Sequence, residues 1–321
     1  MFLFSLAIIT GFILLIWSAD RFIIGAAATA QNFSVPPLII GLTVVGFGTS
    51  APEMIVAGFA AWEGSPAMAI GNALGSNITN ITLVLGVAAL IAPLDVQSRI
   101  LKKELPILLL ATLMALALMR DMTLGRLDGF ILFSLLFLLM WWFTREGLRT
   151  QGEDALTEEF IEEMPAQMRT THALFWLLIG LILLTASSRL LVWGAVGVAT
   201  EFGVSELIIG LTIIAIGTSL PELAASISGA LKSEHDIAIG NVVGSNLFNT
   251  LGVLAIPGLI SPAPLAYGVL ERDMPIVVGL TIALFIMAYG FRGQGRINRL
   301  EGSLLFGAFI AYQILLFLSI Q

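Results

Sequence analysis

Ten apolar runs of near membrane-spanning length divide the chain, at about residues 2–28, 36–61, 68–92, 104–119, 127–144, 172–199, 205–230, 237–260, 274–291 and 301–320. A bilayer core about 30 Å thick is crossed by roughly 20 apolar residues of helix. In hydrocarbon, every backbone N–H and C=O must be paired inside a helix or a closed barrel. Such runs in series predict an all-α polytopic membrane protein with ten transmembrane helices. Composition points the same way: 58% of the 321 residues are hydrophobic and 12% charged, more apolar surface than a soluble domain can bury. The first run, MFLFSLAIITGFILLIW, carries no basic leader and reads as a retained span. The chain has no cysteine, which excludes disulfides and thiolate metal sites. A formal charge of −7 argues against a nucleic-acid partner.

The chain contains itself twice, at a constant offset of 169. GLTVVGFGTSAPE (41–53) lies on GLTIIAIGTSLPE (210–222), with 8 of 13 positions identical. AIGNALGSNITN (69–80) lies on AIGNVVGSNLFN (238–249), with 8 of 12 identical, and LKKELP (101–106) lies on LERDMP (270–275). The organisation read from this is a first repeat at 1–144, an acidic connector at 145–171 and a second repeat at 172–321. Five spans per repeat is an odd number, so the second repeat is inverted relative to the first. Inverted repeats with interrupted helices at matching places are a signature of secondary transporters that bind their cargo at the repeat interface. Basic residues orient the chain: Arg99, Lys102, Lys103, Arg145, Arg149, Arg169, Lys232, Arg292, Arg296 and Arg299 fall on one side, against Arg120, Arg126 and Arg272 on the other. That places both termini on the outer, periplasmic side of an inner membrane.

Polar groups inside the second and seventh runs define the expected site. Pro52 has no N–H and its ring opposes the carbonyl of Gly48, while Pro221 does the same to Gly217. Helices 2 and 7 are therefore expected to be broken, with carbonyls near Gly46–Thr49 and near Ala215 released. Irregular backbone at membrane depth is tolerated only where it is buried in protein or lines a cavity. Thr49 and Glu53 are four residues apart on one helix face with Ser50 beside them, and Asn72, Ser76 and Asn80 form a stripe on the next span. Thr218, Ser219, Glu222, Asn241, Ser245 and Asn249 repeat the set.

All of these are hard oxygen donors, the set that calcium takes with six to eight ligands and that sodium also accepts. No His or Cys accompanies them, which disfavours zinc, copper and iron. Two buried carboxylates match the charge of one divalent cation and repel each other without it. Duplicated intramembrane acids are expensive and mark function. Asn72 and Asn241 read instead as interhelical hydrogen-bonding residues. A serine hydrolase built on Ser50 or Ser219 lacks the base that such a nucleophile needs.

GTSAPE with GSNITN, and GTSLPE with GSNLFN, resemble the paired alpha-repeats of the sodium/calcium exchanger family, within the calcium/cation antiporters, over essentially the whole chain. The resemblance implies a prokaryotic-type antiporter, not an enzyme, moving Ca2+ against Na+, or in some members K+ or H+. It needs no cofactor, and its partners are the transported ions and membrane lipid, with no obligatory protein partner. The family's acids map onto Glu53 and Glu222, both as Ca2+ ligands, and its amide or acid positions onto Asn80 and Asn249. Its hydroxyl and backbone ligands map onto Thr49, Ser50, Ser76, Thr218, Ser219, Ser245, Gly46 and Ala215. Some relatives carry Asp where this chain has Asn249, so the site here has two carboxylates rather than three.

Overall fold

The computed structural model describes residues 2–33, 46–96, 99–149, 168–232, 235–289 and 295–319. The expected acidic connector, the first part of the second span and Arg292 lie wholly or largely outside them. Among the described residues, helices occupy the place of every expected span: α1 (Phe2–Asn32), α2 (Gly46–Trp62), α3 (Pro66–Ile91), α4 (Arg99–Leu118), α5 (Arg126–Arg149) and α6 (Thr170–Phe202). They continue with α7 (Glu206–Thr218, then Leu220–Lys232), α8 (His235–Ile260), α9 (a π turn Val269–Asp273, then Met274–Tyr289) and α10 (Arg299–Leu318). Six of these are individually long and apolar enough to cross a membrane, and the two pieces of α7 taken together make a seventh. The chain is an all-α polytopic membrane protein.

Helix ends follow local chemistry. Asn298 opens α10 with a capping box: its side chain accepts the N–H groups of Leu300 and Glu301, while Glu301 reaches back to the Asn298 N–H. α6 stops at Gly203, whose φ of 64° is the left-handed conformation that glycine adopts without strain. α4 starts at Arg99, five residues before the expected run, so Pro106 lies inside the helix.

The two repeats meet through a twofold-like arrangement that can be followed residue by residue. α1 and α6 lie along each other in the most extensive helix pairing among the described residues. A Cβ on Gly11 would meet Leu191 at 3.2 Å, and one on Gly180 would meet Phe22 at 2.6 Å. Gly180 is Gly11 shifted by 169 and Leu191 is Phe22 shifted by 169, so each contact reproduces the other with the repeats exchanged. Small residues let membrane helices approach this closely.

Two short antiparallel pairings repeat the relation at the ends of the helices. Leu94–Val96, after α3, pairs with Gly295–Ile297, before α10. Thr123–Leu124, between α4 and α5, pairs with Ala263–Pro264, between α8 and α9. Adding 169 to the first strand gives 263–265, the place of the strand before α9. Each pairing joins a connector of one repeat to the inverted connector of the other, which puts the two members of each pair on one side of the membrane.

α3 and α8 form the centre. In each, 78% of the most apolar stretch is buried, against 22% for α5 and α10 and 24% for α1. α3 lies tightly on α7: a Cβ on Gly75 would come within 2.7 Å of Ala215 Cβ and of Leu211 Cα. α2 and α7 pack on α3 and α8, with α1 and α6 beside them.

Candidate functional site

Ten expected side chains converge between α2, α3, α7 and α8. Ser50, Glu53, Ser76, Asn80, Thr218, Glu222, Ser245 and Asn249 have no exposed surface, and Ser219 and Thr49 are 1% and 4% exposed. Hydrogen bonds between repeats hold them together. Thr49 Oγ1 reaches Asn241 Oδ1 at 3.5 Å, and Thr218 Oγ1 donates to Asn72 Oδ1 at 3.3 Å, the same contact with repeats exchanged. Asn72 Nδ2 donates to the Glu53 carbonyl and Asn241 Nδ2 to the Glu222 carbonyl, both at 3.1 Å. Asn72 and Asn241 therefore act as braces. Each fixes the backbone of its own repeat's glutamate and takes a threonine hydroxyl from the other repeat.

The backbone is irregular where these side chains gather. α7 bends by 42° at Ser219, two residues before Pro221, which has no N–H to donate to the preceding turn. α2 differs, running through Pro52 without interruption from Gly46, its first described residue. The lost hydrogen bond is accommodated within a continuous helix there, so the expected break at helix 2 is not found among the described residues. The Ala215 carbonyl, expected to be released, instead accepts the Ser219 N–H at 3.1 Å and the Thr218 hydroxyl at 3.4 Å. Asn80 and Asn249 each begin a π turn, Asn80–Val84 and Asn249–Val253. The extra residue in such turns widens the helix locally, and they are frequent at functional sites.

The two halves of the site are chemically unequal. Around Glu222 the groups are paired: Ser50 Oγ donates to Ser245 Oγ at 3.1 Å, and Ser245 Oγ donates to Glu222 Oε1 at 3.1 Å. Thr49 Oγ1 also lies 3.4 Å from Ser245 Oγ. Around Glu53 the matching serine hydroxyls are unpaired, while Thr218, the counterpart of Thr49, bonds to Asn72. Both Glu53 carboxylate oxygens, Ser76 Oγ and Ser219 Oγ are buried without a hydrogen-bond partner, as are Asn80 Oδ1, Glu222 Oε2 and the whole Asn249 amide. Buried polar atoms are nearly always paired, and each exception calls for an explanation. Among the described residues, eight of the twelve such atoms sit on the residues whose types and spacing point to cation binding, and seven of those eight are oxygens.

Sequence reasoning passed over Asn77, Asn246 and Thr250. Asn77 Nδ2 donates to Thr250 Oγ1 at 2.9 Å, Asn246 Nδ2 to the Asn77 carbonyl at 3.3 Å, and Asn80 Nδ2 to Asn246 Oδ1 at 3.1 Å. The signal was present, because Asn77 and Asn246 stand at the same offset of 169 inside the duplicated GSN. They fall off the Asn72–Ser76–Asn80 stripe and so did not register as part of it.

Charged groups in the long helices lie apart from this centre. Arg21 of α1 stacks on Trp17 and on Trp176 of α6, at 5.8 and 5.2 Å, and lies 3.7 Å from Asp20. Arg189 of α6 pairs with Glu63, beyond the end of α2, at 3.7 Å. At the offset of 169, Arg189 matches Asp20 and Glu63 matches Lys232, so the pair recurs in the sequence with its signs exchanged.

The model of the family described as "Sodium/calcium exchanger protein" matches residues 3–145 and 172–318. This chain belongs to that family. Among relatives of the exchanger, the putative antiporter CaxA of Alkalimonas amylolytica is 48% identical, over 98% of this chain and 99% of that one. The inner membrane protein YrbG of Escherichia coli (strain K12) is 42% identical over 99% and 98%. The sodium/calcium exchanger MaX1 of Methanosarcina acetivorans is 28% identical over 97% and 98%. The structure of the sodium-calcium exchanger NCX_Mj soaked with 2.5 mM Na+ and 10 mM Sr2+ matches with a TM-score of 0.65 and 30% identity over 97% of each chain. This member of the exchanger family is thus a membrane antiporter of cations including calcium, and a transporter rather than an enzyme.

Proposed function

We propose that this chain exchanges Ca2+ for Na+ across an inner membrane by alternating access, at one midplane site between α2, α3, α7 and α8. The observation that carries the reading is the cluster of buried, unpartnered oxygens on Glu53, Ser76, Asn80, Ser219, Glu222 and Asn249. Glu53 and Glu222 supply two negative charges for one divalent ion. The amides of Asn80 and Asn249 and the hydroxyls of Thr49, Ser50, Ser76, Thr218, Ser219 and Ser245 supply neutral oxygens, with backbone carbonyls at Gly46 and Ala215 as further ligands. Calcium takes six to eight oxygens in flexible geometry, and this inventory is sufficient for that. Sodium, accepting the same donors, displaces it.

In this mechanism the core holds the ions while α1 and α6 move past it as one unit. Their mutual packing supports this, since each is joined to the other along a stripe of glycines and only a minor share of its most apolar stretch is buried (24% and 33%). A core carrying two uncompensated carboxylates does not cross easily to the other state, so bound cations are what permit the switch. The repeats are assigned to 1–144 and 172–321 with the 145–171 connector on the cytoplasmic side, and both termini face the periplasm. Relatives described as sodium/calcium exchangers support sodium as the driving ion. Asn249, an amide where some relatives have an acid, favours a second reading in which H+ or K+ drives calcium.

The test is calcium-45 uptake into proteoliposomes loaded in turn with sodium, potassium or low-pH buffer. Uptake that requires the outward sodium gradient is expected. Uptake driven by pH or potassium alone replaces the driving ion, and no calcium uptake under any gradient overturns the reading.

A further inference from the structure

The amide network beside the site carries one step more, resting on the reading of Asn80 as a cargo ligand. A carboxamide has one end that donates and one that accepts, so its orientation decides whether a cation meets an oxygen or an NH2 group. The Asn77 backbone carbonyl can only accept. Asn246, 1% exposed, must therefore turn its Nδ2 toward that carbonyl, at 3.3 Å, which leaves its Oδ1 facing the other way. That oxygen can only accept in turn, so Asn80 must offer Nδ2 to it, at 3.1 Å. The chain of constraints ends at Asn80 Oδ1, which is buried and has no partner. A backbone carbonyl in the first repeat thus sets, through a side chain of the second, which atom of Asn80 faces outward from the pair.

We propose that Asn246 is a positioning residue for cation binding: it clamps the Asn80 carboxamide with its oxygen presented to the transported ion. The mirror clamp would join Asn249 Nδ2 to Asn77 Oδ1. Both of those atoms are buried and unpaired, while the Asn77 amide donates to Thr250 Oγ1 at 2.9 Å instead. The first repeat has Ile81 at the position of Thr250, which cannot compete in this way. The duplicated motif thereby yields one amide oriented by hydrogen bonds at Asn80 and one without such a clamp at Asn249. Partners that orient metal ligands typically contribute 10–100-fold in affinity.

A double-mutant cycle separates positioning from packing. Asn246→Leu keeps the volume and removes both hydrogen bonds; Asn246→Ala serves the same purpose if the leucine variant does not fold. Asn80→Asp replaces the amide by a carboxylate whose two oxygens are equivalent, so orientation no longer matters. Calcium-45 uptake is measured for the four proteins, with KM and kcat determined separately. Asn246→Leu is expected to raise KM at least tenfold with kcat changed less than threefold, and to change KM no more than twofold when Asp occupies position 80. An equal rise in both backgrounds, a loss confined to kcat, or no change in the native background overturns the clamp. If the native protein takes up no calcium, the functional reading fails separately, and the same cycle is scored on sodium-22 uptake by the same criteria.

Discussion

Replacing Ser245 and Ser76 by alanine, one at a time, probes the inequality of the two half-sites, because the residues are equivalent by repeat and opposite in their bonding. Ser245 Oγ accepts from Ser50 and donates to Glu222, at 3.1 Å each, whereas Ser76 Oγ has no partner. Ser245→Ala takes the acceptor from the Ser50 hydroxyl and one hydrogen bond from Glu222. Each such buried group costs about 1–3 kcal/mol, and hydrogen bonds within membrane proteins fall toward the lower end, about 0.6–1.7 kcal/mol. Two groups together predict a loss of about 1–3 kcal/mol in the chelated, cation-free protein. Ser76→Ala removes a hydroxyl that bonds to nothing there and should alter stability by less than about 0.5 kcal/mol. With calcium present the two converge. Each lacks one ligand, and a tenfold weaker site forfeits about 1.4 kcal/mol of the stabilisation that ligand binding confers. Unfolding in detergent, with chelator and then with excess calcium, reads both quantities. Equal destabilisation of the two variants under chelation would refute the asymmetry.

Four further outcomes follow from the same geometry. Glu53→Gln and Glu222→Gln should each reduce calcium uptake at least a hundredfold in proteoliposomes while leaving the purified protein folded by circular dichroism, since each halves the charge available to a divalent ion. Gly75→Ala should destabilise by about 1–3 kcal/mol, the usual cost of overpacking, because its Cβ would lie 2.7 Å from Leu211 Cα; Gly307→Ala, on α10 with no atom within 4 Å, should be neutral or slightly stabilising in the same melt. Pro221→Ala restores an N–H at the 42° bend, and should slow exchange at least threefold without lowering the melting temperature. Reversing Arg189 to Glu should lower exchange, and adding Glu63→Arg should recover most of it; the exposed pair itself contributes no more than about 1 kcal/mol to stability, so melting temperatures should move little.

Much of this molecule was legible in the residues themselves. A shift of 169 that maps GTSAPE onto GTSLPE and GSN onto GSN, with five apolar runs on each side, leaves an inverted duplication as the arrangement, and the spacing of Thr49, Glu53, Ser76 and Asn80 puts oxygens on facing surfaces. What was not legible depends on which of two equivalent partners a group selects. Identical motifs give no reason for Ser245 to be bonded and Ser76 not, because that choice is made by how the helices lie in one conformation. The π turns at Asn80 and Asn249 are equally silent, as one extra residue in a turn leaves the apolar pattern almost unchanged. Pro52 and Pro221 carry the same chemistry, yet only the second interrupts its helix among the described residues. The pairing of Leu94–Val96 with Gly295–Ile297 is not legible in sequence, because three-residue strands carry too little periodicity.

One cation is expected to be bound by oxygens drawn from both repeats. An anomalous difference map from crystals grown in calcium tests this most directly. A single intramembrane peak is expected about 2.3–2.6 Å from carboxylate oxygens of both Glu53 and Glu222, lost in Glu53→Gln. A peak coordinated by residues of one repeat alone, or calcium found only at the surface, would contradict it.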